Sequence, residues 1–159
     1  MTAPAKARRP FVRGCGDRDG PGRTGWLLAA RAFAVWLLLI TAEVVHGIVR
    51  TLVLTPVVGD FRARQLGVFT GSLLILLITA LTIRWIRASR PRTLLMIGSA
   101  WVVLTVGFEI SLGRMLGYSW ERLGSDYNML EGGLLPIGFV IMATSPFIAA
   151  RLRGMWNYG

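Results

Sequence analysis

The chain has 159 residues, of which 53% are hydrophobic and only 16% are charged, and its mean hydropathy is +0.56. A soluble domain of this size carries about 25% charged residues and does not need long apolar runs. The composition therefore excludes a soluble enzyme, a secreted disulfide scaffold and a disordered chain, and it predicts a small integral membrane protein.

The charge balance is strongly basic, with 18 Lys and Arg against 8 Asp and Glu. Arginines that flank membrane helices on the cytoplasmic side produce such an excess. The polar segments contain no nucleic-acid-binding motif with interleaved aromatic residues, so we predict the lipid bilayer rather than a nucleic acid as the partner. The single cysteine, Cys15, cannot form an internal disulfide.

Residues 1–24 are rich in proline, glycine and basic residues, and we expect them to form a disordered cytoplasmic tail. Within this tail, Arg8 and Arg9 precede Pro10, Phe11 and Val12, which resembles a twin-arginine export signal. The apolar run that follows begins only at Trp26 and is as long as a full membrane span. We therefore predict that the tail is not a cleaved signal.

Four apolar segments follow, and each has about the 20 residues that a helix needs to cross the hydrocarbon core. Isolated strands cannot satisfy their backbone hydrogen bonds in lipid, so helices are the only choice for segments of this kind. Residues 25–159 are thus predicted to be an all-α domain, a four-helix transmembrane bundle. The spans are predicted at about 26–50, 66–86, 93–113 and 133–150.

The connections between the spans differ in character. Residues 87–92 form a short basic turn, which predicts that the second and third helices are antiparallel neighbours. The first connection, residues 51–60, is apolar, and we expect Pro56 to end the first helix before it. Asp60 is then predicted to be the N-cap of the second helix.

The arginine distribution predicts the orientation. The N-terminal tail, the second connection and the C-terminus carry twelve basic residues, whereas the first and third connections carry five. We therefore expect both termini to lie in the cytoplasm and the protein to be multi-pass in a bacterial cytoplasmic (inner) membrane.

Small residues and prolines mark packing positions. Gly67 and Gly71 form a G-x-x-x-G pair in the second helix, and Gly98 begins a run of small residues in the third. Such a pair serves either an internal helix contact or a homodimer face, and both remain open here. Pro146 lies inside the fourth helix, where it leaves the carbonyl of Met142 without its usual donor and predicts a kink.

One polar cluster is a candidate for chemistry. Glu43, His46 and Arg50 are spaced three and four residues apart, so they share one face of the first helix. Glu109 lies near the same end of the third helix. Charged groups at depth in a membrane face protein or water and find partners, so these four residues are predicted to form one network.

The network has three interpretations. It fixes helix register through ion pairs, or it binds a proton or a cation in an outward-facing cavity, or it ligates a metal. Glu43-x-x-His46 has the spacing used in di-metal bundles, but those sites need the motif twice and His46 is the only histidine. We therefore predict no metal, no cofactor and no catalytic residues.

The fragment Ala42-Glu43-Val44, with four helices in a small chain, resembles the small multidrug resistance transporters, whose first helix carries an essential acid. The resemblance covers a few residues, and the tryptophan-bearing motif of that family's third helix has no counterpart in this chain. On the residues themselves, we expect a non-enzymatic membrane component or accessory subunit. The alternative is a small proton- or cation-coupled transporter that uses membrane-embedded carboxylates.

Overall fold

The computed structural model describes residues 21–125, 127–129 and 133–155. Four long helices dominate this part of the chain, and each is long and apolar enough to cross a membrane. They are α1 (Pro21–Val49), α2 (Asp60–Ile86), α3 (Pro91–Met115) and α4 (Leu135–Leu152). The described residues contain no strand. The predicted all-α fold with four membrane-spanning helices is confirmed.

The N-terminal boundary of α1 lies earlier than the sequence predicts. The helix begins at Pro21, and proline suits the first turn because its missing N–H has no intrahelical partner there. Residues 21–24, which we assigned to a disordered tail, are therefore helical. The rest of that tail, residues 1–20, lies outside the described residues, as does Cys15.

The predicted loop after the first helix is wrong, because the helical path continues beyond α1. A π-helical segment, Arg50–Leu54, is followed by one more helical turn, Thr55–Val58. Both the backbone N–H and the hydroxyl of Thr55 reach the Arg50 carbonyl oxygen, which widens the turn just before Pro56. Pro56 then occupies the start of the next turn and does not end the helix.

Gly59 separates this extension from α2. Its φ of +82° is one that only glycine adopts at low cost, and it reverses the chain direction. Gly59 is also the N-cap of α2, since its carbonyl accepts the N–H of Ala63, so the prediction of Asp60 as the N-cap is wrong. Asp60 instead lies in the first turn, where its negative charge interacts favourably with the helix dipole.

The helices are arranged in the order α1, α2, α4, α3 around the bundle. α4 packs along both α2 and α3, while α2 and α3 themselves make few close backbone contacts despite the short connection between them. They are therefore not the close neighbours that the turn at residues 87–92 predicts. α3 and α4 approach each other closely at Gly98, which faces the backbone carbonyl of Ala143.

Two tryptophans join α1 to α3 in the core. The indole N–H of Trp36 donates to the hydroxyl of Thr105 at 3.1 Å, and that of Trp101 donates to the carbonyl of Ala32 at 2.9 Å. All four residues are buried. A buried indole N–H needs an acceptor, so these two bonds fix the register between the helices as well as filling the core.

Pro146 is accommodated by the residue before it. The hydroxyl of Ser145 donates to the Met142 carbonyl at 2.9 Å, which is the carbonyl that proline leaves without a backbone donor. The same hydroxyl lies 3.4 Å from that of Thr79 on α2. The Met142 carbonyl thus has a donor within α4, and the Ser145 hydroxyl that supplies it also contributes to the contact between α2 and α4.

The two ends of the bundle carry different polar contacts. At the end that we call the Asp60 end, the Asp60 carboxylate pairs with Arg122 at 3.0 Å and with Arg64 at 3.4 Å. Arg122 belongs to a short helix, Trp120–Ser125. At the opposite end, which we call the Arg87 end, the guanidinium of Arg31 lies 5.9 Å from the ring centre of Trp85, so α1 and α2 are antiparallel.

Candidate functional site

The candidate site is a polar cluster between α1 and α2, near the Asp60 end. Glu43 and His46 share one face of α1, as their spacing predicts, and Arg50 continues this face as the first residue of the π-helical segment. The face packs against α2 where Gly67 and Gly71 lie. The absence of side chains at these two glycines makes room for the long polar side chains of α1.

Glu43 and His46 pair with each other within α1. Oε2 of Glu43 lies 3.4 Å from Nδ1 of His46, and the side chains are 27% and 22% exposed, respectively. The second carboxylate oxygen, Oε1, is buried and has no hydrogen-bond partner among the described residues. A Cβ atom at Gly71 would lie 2.8 Å from Oε2, so the carboxylate is in direct contact with the backbone of α2.

The other ring nitrogen of His46 reaches across to α2. Nε2 lies 2.8 Å from the hydroxyl oxygen of Thr70. This hydroxyl is also placed to donate to two backbone carbonyls of its own helix, Leu66 at 3.2 Å and Gly67 at 3.3 Å. Thr70 was not predicted as a site residue, although it lies one residue before Gly71 and hence beside the glycine pair.

Arg50 has a different role from the one that its spacing suggests. Its aliphatic stem packs on Gly67, where an added Cβ atom would lie 2.6 Å from Cδ. Its positive charge acts on the Asp60 carboxylate. The basic partner of Glu43 is therefore His46, and Arg50 joins the cluster to the charges at the Asp60 end.

The contact between the glycine pair and α1 bears on the proposed homodimer. Gly71 faces Glu43 of α1 and Gly67 faces Arg50 of the π-helical segment that follows it, so the structure uses both glycines for an internal helix contact. A second copy of the chain could approach these glycines only by displacing α1. The structure thus favours the internal contact over the dimer face.

Glu109 is half-buried on α3. The contacts that define the cluster, in the part of the chain that the structure describes, join α1 to α2, and Glu109 is not among them. Its membership of one network with Glu43 therefore stays a prediction.

A groove of about 460 Å³ runs along the surface beside His46. It is open and almost wholly apolar, and neither Glu43 nor Glu109 lines it. The lining residues are Leu38, Thr41, Ala42, Val45, His46, Val49 and Leu74. The groove brings the edge of the imidazole ring to the surface of the bundle, while the carboxylate lies between the helices.

Among the described residues, no three His, Cys, Asp or Glu side chains converge as metal ligands would. Comparisons of the chain with protein-family models, with curated proteins and with solved structures find no match.

Proposed function

We propose that the chain is a non-enzymatic component of a membrane complex, an accessory subunit that works through the outer faces of its helices. The observation that carries this proposal is that polar side chains inside the bundle bond to other parts of the bundle. Trp36, Thr105, Trp101 and Ser145 all bond to atoms of neighbouring residues in the bundle, and the Glu43–His46 pair is packed against α2. These groups hold the helices together, and binding or chemistry is then left to the surfaces.

The outer face of α3 is the surface best suited to a partner helix. Ser99, Val103, Gly107 and Ser111 follow one another at intervals of four residues and are all exposed. A Cβ atom at Gly107 would meet nothing within 4 Å. Small residues allow close approach of helix backbones in lipid, where the hydrophobic effect does not drive association.

Site-specific photo-crosslinking tests this proposal. A photoreactive residue at Val103, which is 71% exposed on α3, should form a protein adduct of defined mass in native membranes. The same residue at Leu77, which is 55% exposed on α2, is the matched control and should label lipid. Equal labelling at both positions, or lipid adducts alone at Val103, would overturn the proposed partner face.

The proposed location is a bacterial cytoplasmic membrane, with both termini in the cytoplasm. The arginine distribution supports it, because the Arg87 end carries the basic connection between α2 and α3. Reporter fusions to the C-terminus and within residues 115–125 test it. A periplasmic reporter signal from the C-terminal fusion would contradict this orientation.

A second candidate function, proton- or cation-coupled transport, is favoured by one specific observation. Oε1 of Glu43 is buried without a hydrogen-bond partner among the described residues, and a carboxylate in this state gains from binding a positive charge. Reconstitution of the purified chain into liposomes that contain a pH-sensitive dye tests it. If the chain transports protons, the unaltered chain should show proton flux and Glu43→Gln should abolish it. Glu121→Gln, on the exposed short helix, should leave the flux unchanged. Absence of flux with the unaltered chain would contradict transport.

A further inference from the structure

The side chain of His46 has a polar partner at each ring nitrogen. Nδ1 faces the Glu43 carboxylate at 3.4 Å, and Nε2 faces the Thr70 hydroxyl at 2.8 Å. A carboxylate only accepts hydrogen bonds when it is ionised, whereas a hydroxyl both donates and accepts. The two sides of the ring therefore differ in which protonation states of His46 they can support.

When Glu43 is ionised and His46 is neutral, the single N–H of His46 lies on Nδ1. The Glu43 carboxylate accepts this hydrogen, and the Thr70 hydroxyl donates its own hydrogen to the unprotonated Nε2. The opposite tautomer would place a nitrogen lone pair against the carboxylate oxygen, which is repulsive. Glu43 thus selects the Nδ1–H tautomer.

When His46 in this arrangement gains a proton, the proton goes to Nε2, the ring nitrogen that carries no hydrogen. The Nε2–H group then donates to the Thr70 oxygen, and the Thr70 hydroxyl hydrogen turns to the carbonyl of Leu66 or Gly67, at 3.2 and 3.3 Å. The bond from Nδ1–H to Glu43 is kept and becomes an ion pair. His46 gains one proton, no covalent bond to hydrogen is broken, and each polar hydrogen of His46 and Thr70 has an acceptor.

We propose that Glu43, His46 and Thr70 form a reversible proton-binding site, in which Nε2 of His46 takes the proton and rotation of the Thr70 hydroxyl compensates for it. The site sits between α1 and α2, so proton binding changes the electrostatics of a helix contact. Proton binding at this site is a local equilibrium that does not depend on whether the chain acts as a subunit or as a transporter.

The charges around the site leave Glu43 as the counter-ion of the protonated ring. α2 carries no charged residue between Arg64 and Arg84, and α4 carries none before Arg151. α3 contributes Glu109, which is half-buried, and the π-helical segment after α1 contributes Arg50, whose charge acts on Asp60. The positive charge on His46 is thus matched by the acid three residues before it.

The chain is well suited to a direct test because His46 is its only histidine. The full chain, labelled with ¹⁵N-histidine and placed in lipid nanodiscs, is examined by solid-state NMR from pH 4 to pH 9. We expect the neutral ring to show the Nδ1–H tautomer and the protonated ring to show both N–H groups. A neutral ring with its hydrogen on Nε2, or a ring that does not titrate in this range, would overturn the proposal.

Two variants, each with a matched control, separate the roles of the partners. Glu43→Gln keeps the side-chain shape but removes the counter-charge, so His46 should bind a proton about 10-fold or more weakly. Glu121→Gln, which removes an exposed acid of the short helix, should change proton binding less than twofold. Equal proton affinities in these two variants would contradict the role of Glu43.

Thr70→Val removes the hydroxyl, so the Nε2 resonance should lose its hydrogen-bond shift in both protonation states. Thr82→Val is the control, because the Thr82 hydroxyl donates to its own helix at 2.8 Å, to the carbonyl of Ile78. An unchanged Nε2 resonance in Thr70→Val would exclude the hydroxyl switch. Circular dichroism of each variant confirms that it is folded.

Discussion

The close contact between α3 and α4 at Gly98 offers a stringent test of the fold. A Cβ atom at Gly98 of α3 would overlap the carbonyl oxygen of Ala143 and lie 2.7 Å from its carbonyl carbon and 3.0 Å from its Cα. These are backbone atoms of α4, so no side-chain rotation relieves the overlap. Gly98→Ala therefore forces α3 and α4 apart, and we expect it to destabilise the protein.

The size of the effect follows from a comparison with Gly107→Ala on the same helix. Both substitutions gain about 0.5–1 kcal/mol because alanine favours the helix more than glycine does. A Cβ atom at Gly107 meets nothing within 4 Å, so only Gly98→Ala carries the cost of overpacking, about 1–3 kcal/mol. The helix term cancels in the difference between the variants, which should equal that overpacking cost.

Thermal unfolding in mild detergent measures this difference, with intrinsic fluorescence as the readout because Trp36 and Trp101 are buried where the helices meet. At roughly 2–4 °C per kcal/mol for a chain of this length, Gly98→Ala should unfold several degrees below Gly107→Ala. If Gly98→Ala were as stable as Gly107→Ala, the described packing of α3 against α4 would be incorrect.

Ser145→Ala should lower the free energy of unfolding by about 1–3 kcal/mol, because it leaves the buried Met142 carbonyl without a donor. Thr144→Ala is the control and should be nearly neutral, because the Thr144 hydroxyl donates to the carbonyl of Val140, which the helix already satisfies. If Glu43 and Glu109 share one network, alanine at both positions should cost at least 0.5 kcal/mol less than the sum of the single substitutions, and additive losses would separate them.

The four helices could be predicted from the sequence because apolar length is a sufficient signal for a membrane span. The neighbours of each helix could not, since a short connection constrains direction but not packing. α4 lies between α2 and α3 because Gly98 lets α4 approach α3, and the Thr79 and Ser145 hydroxyls join α4 to α2. The continuation of α1 past Pro56 was also missed, because the π turn that accommodates it has no clear sequence signature.

The candidate site could also be predicted from the sequence only in part. The spacing of Glu43 and His46 predicts their shared face, which the structure contains. The contribution of α2 could not be deduced, because Thr70 is an ordinary residue whose role appears only when α1 and α2 are placed in register. The glycine pair was recognised, but its sequence does not say which helix it would face.

The length of the first span has a consequence for the surrounding lipid. From Gly25 to Val58 it has 34 helical residues, roughly 50 Å, whereas the 18 residues of α4 extend about 27 Å. A hydrocarbon layer of about 30 Å matches α4 and is far exceeded by the first span. The exposed Leu52 and Val57 therefore enter the headgroup layer unless the helix tilts or the bilayer thickens locally. Such hydrophobic mismatch makes the protein responsive to acyl-chain length, so its stability should pass through a maximum as bilayer thickness is varied.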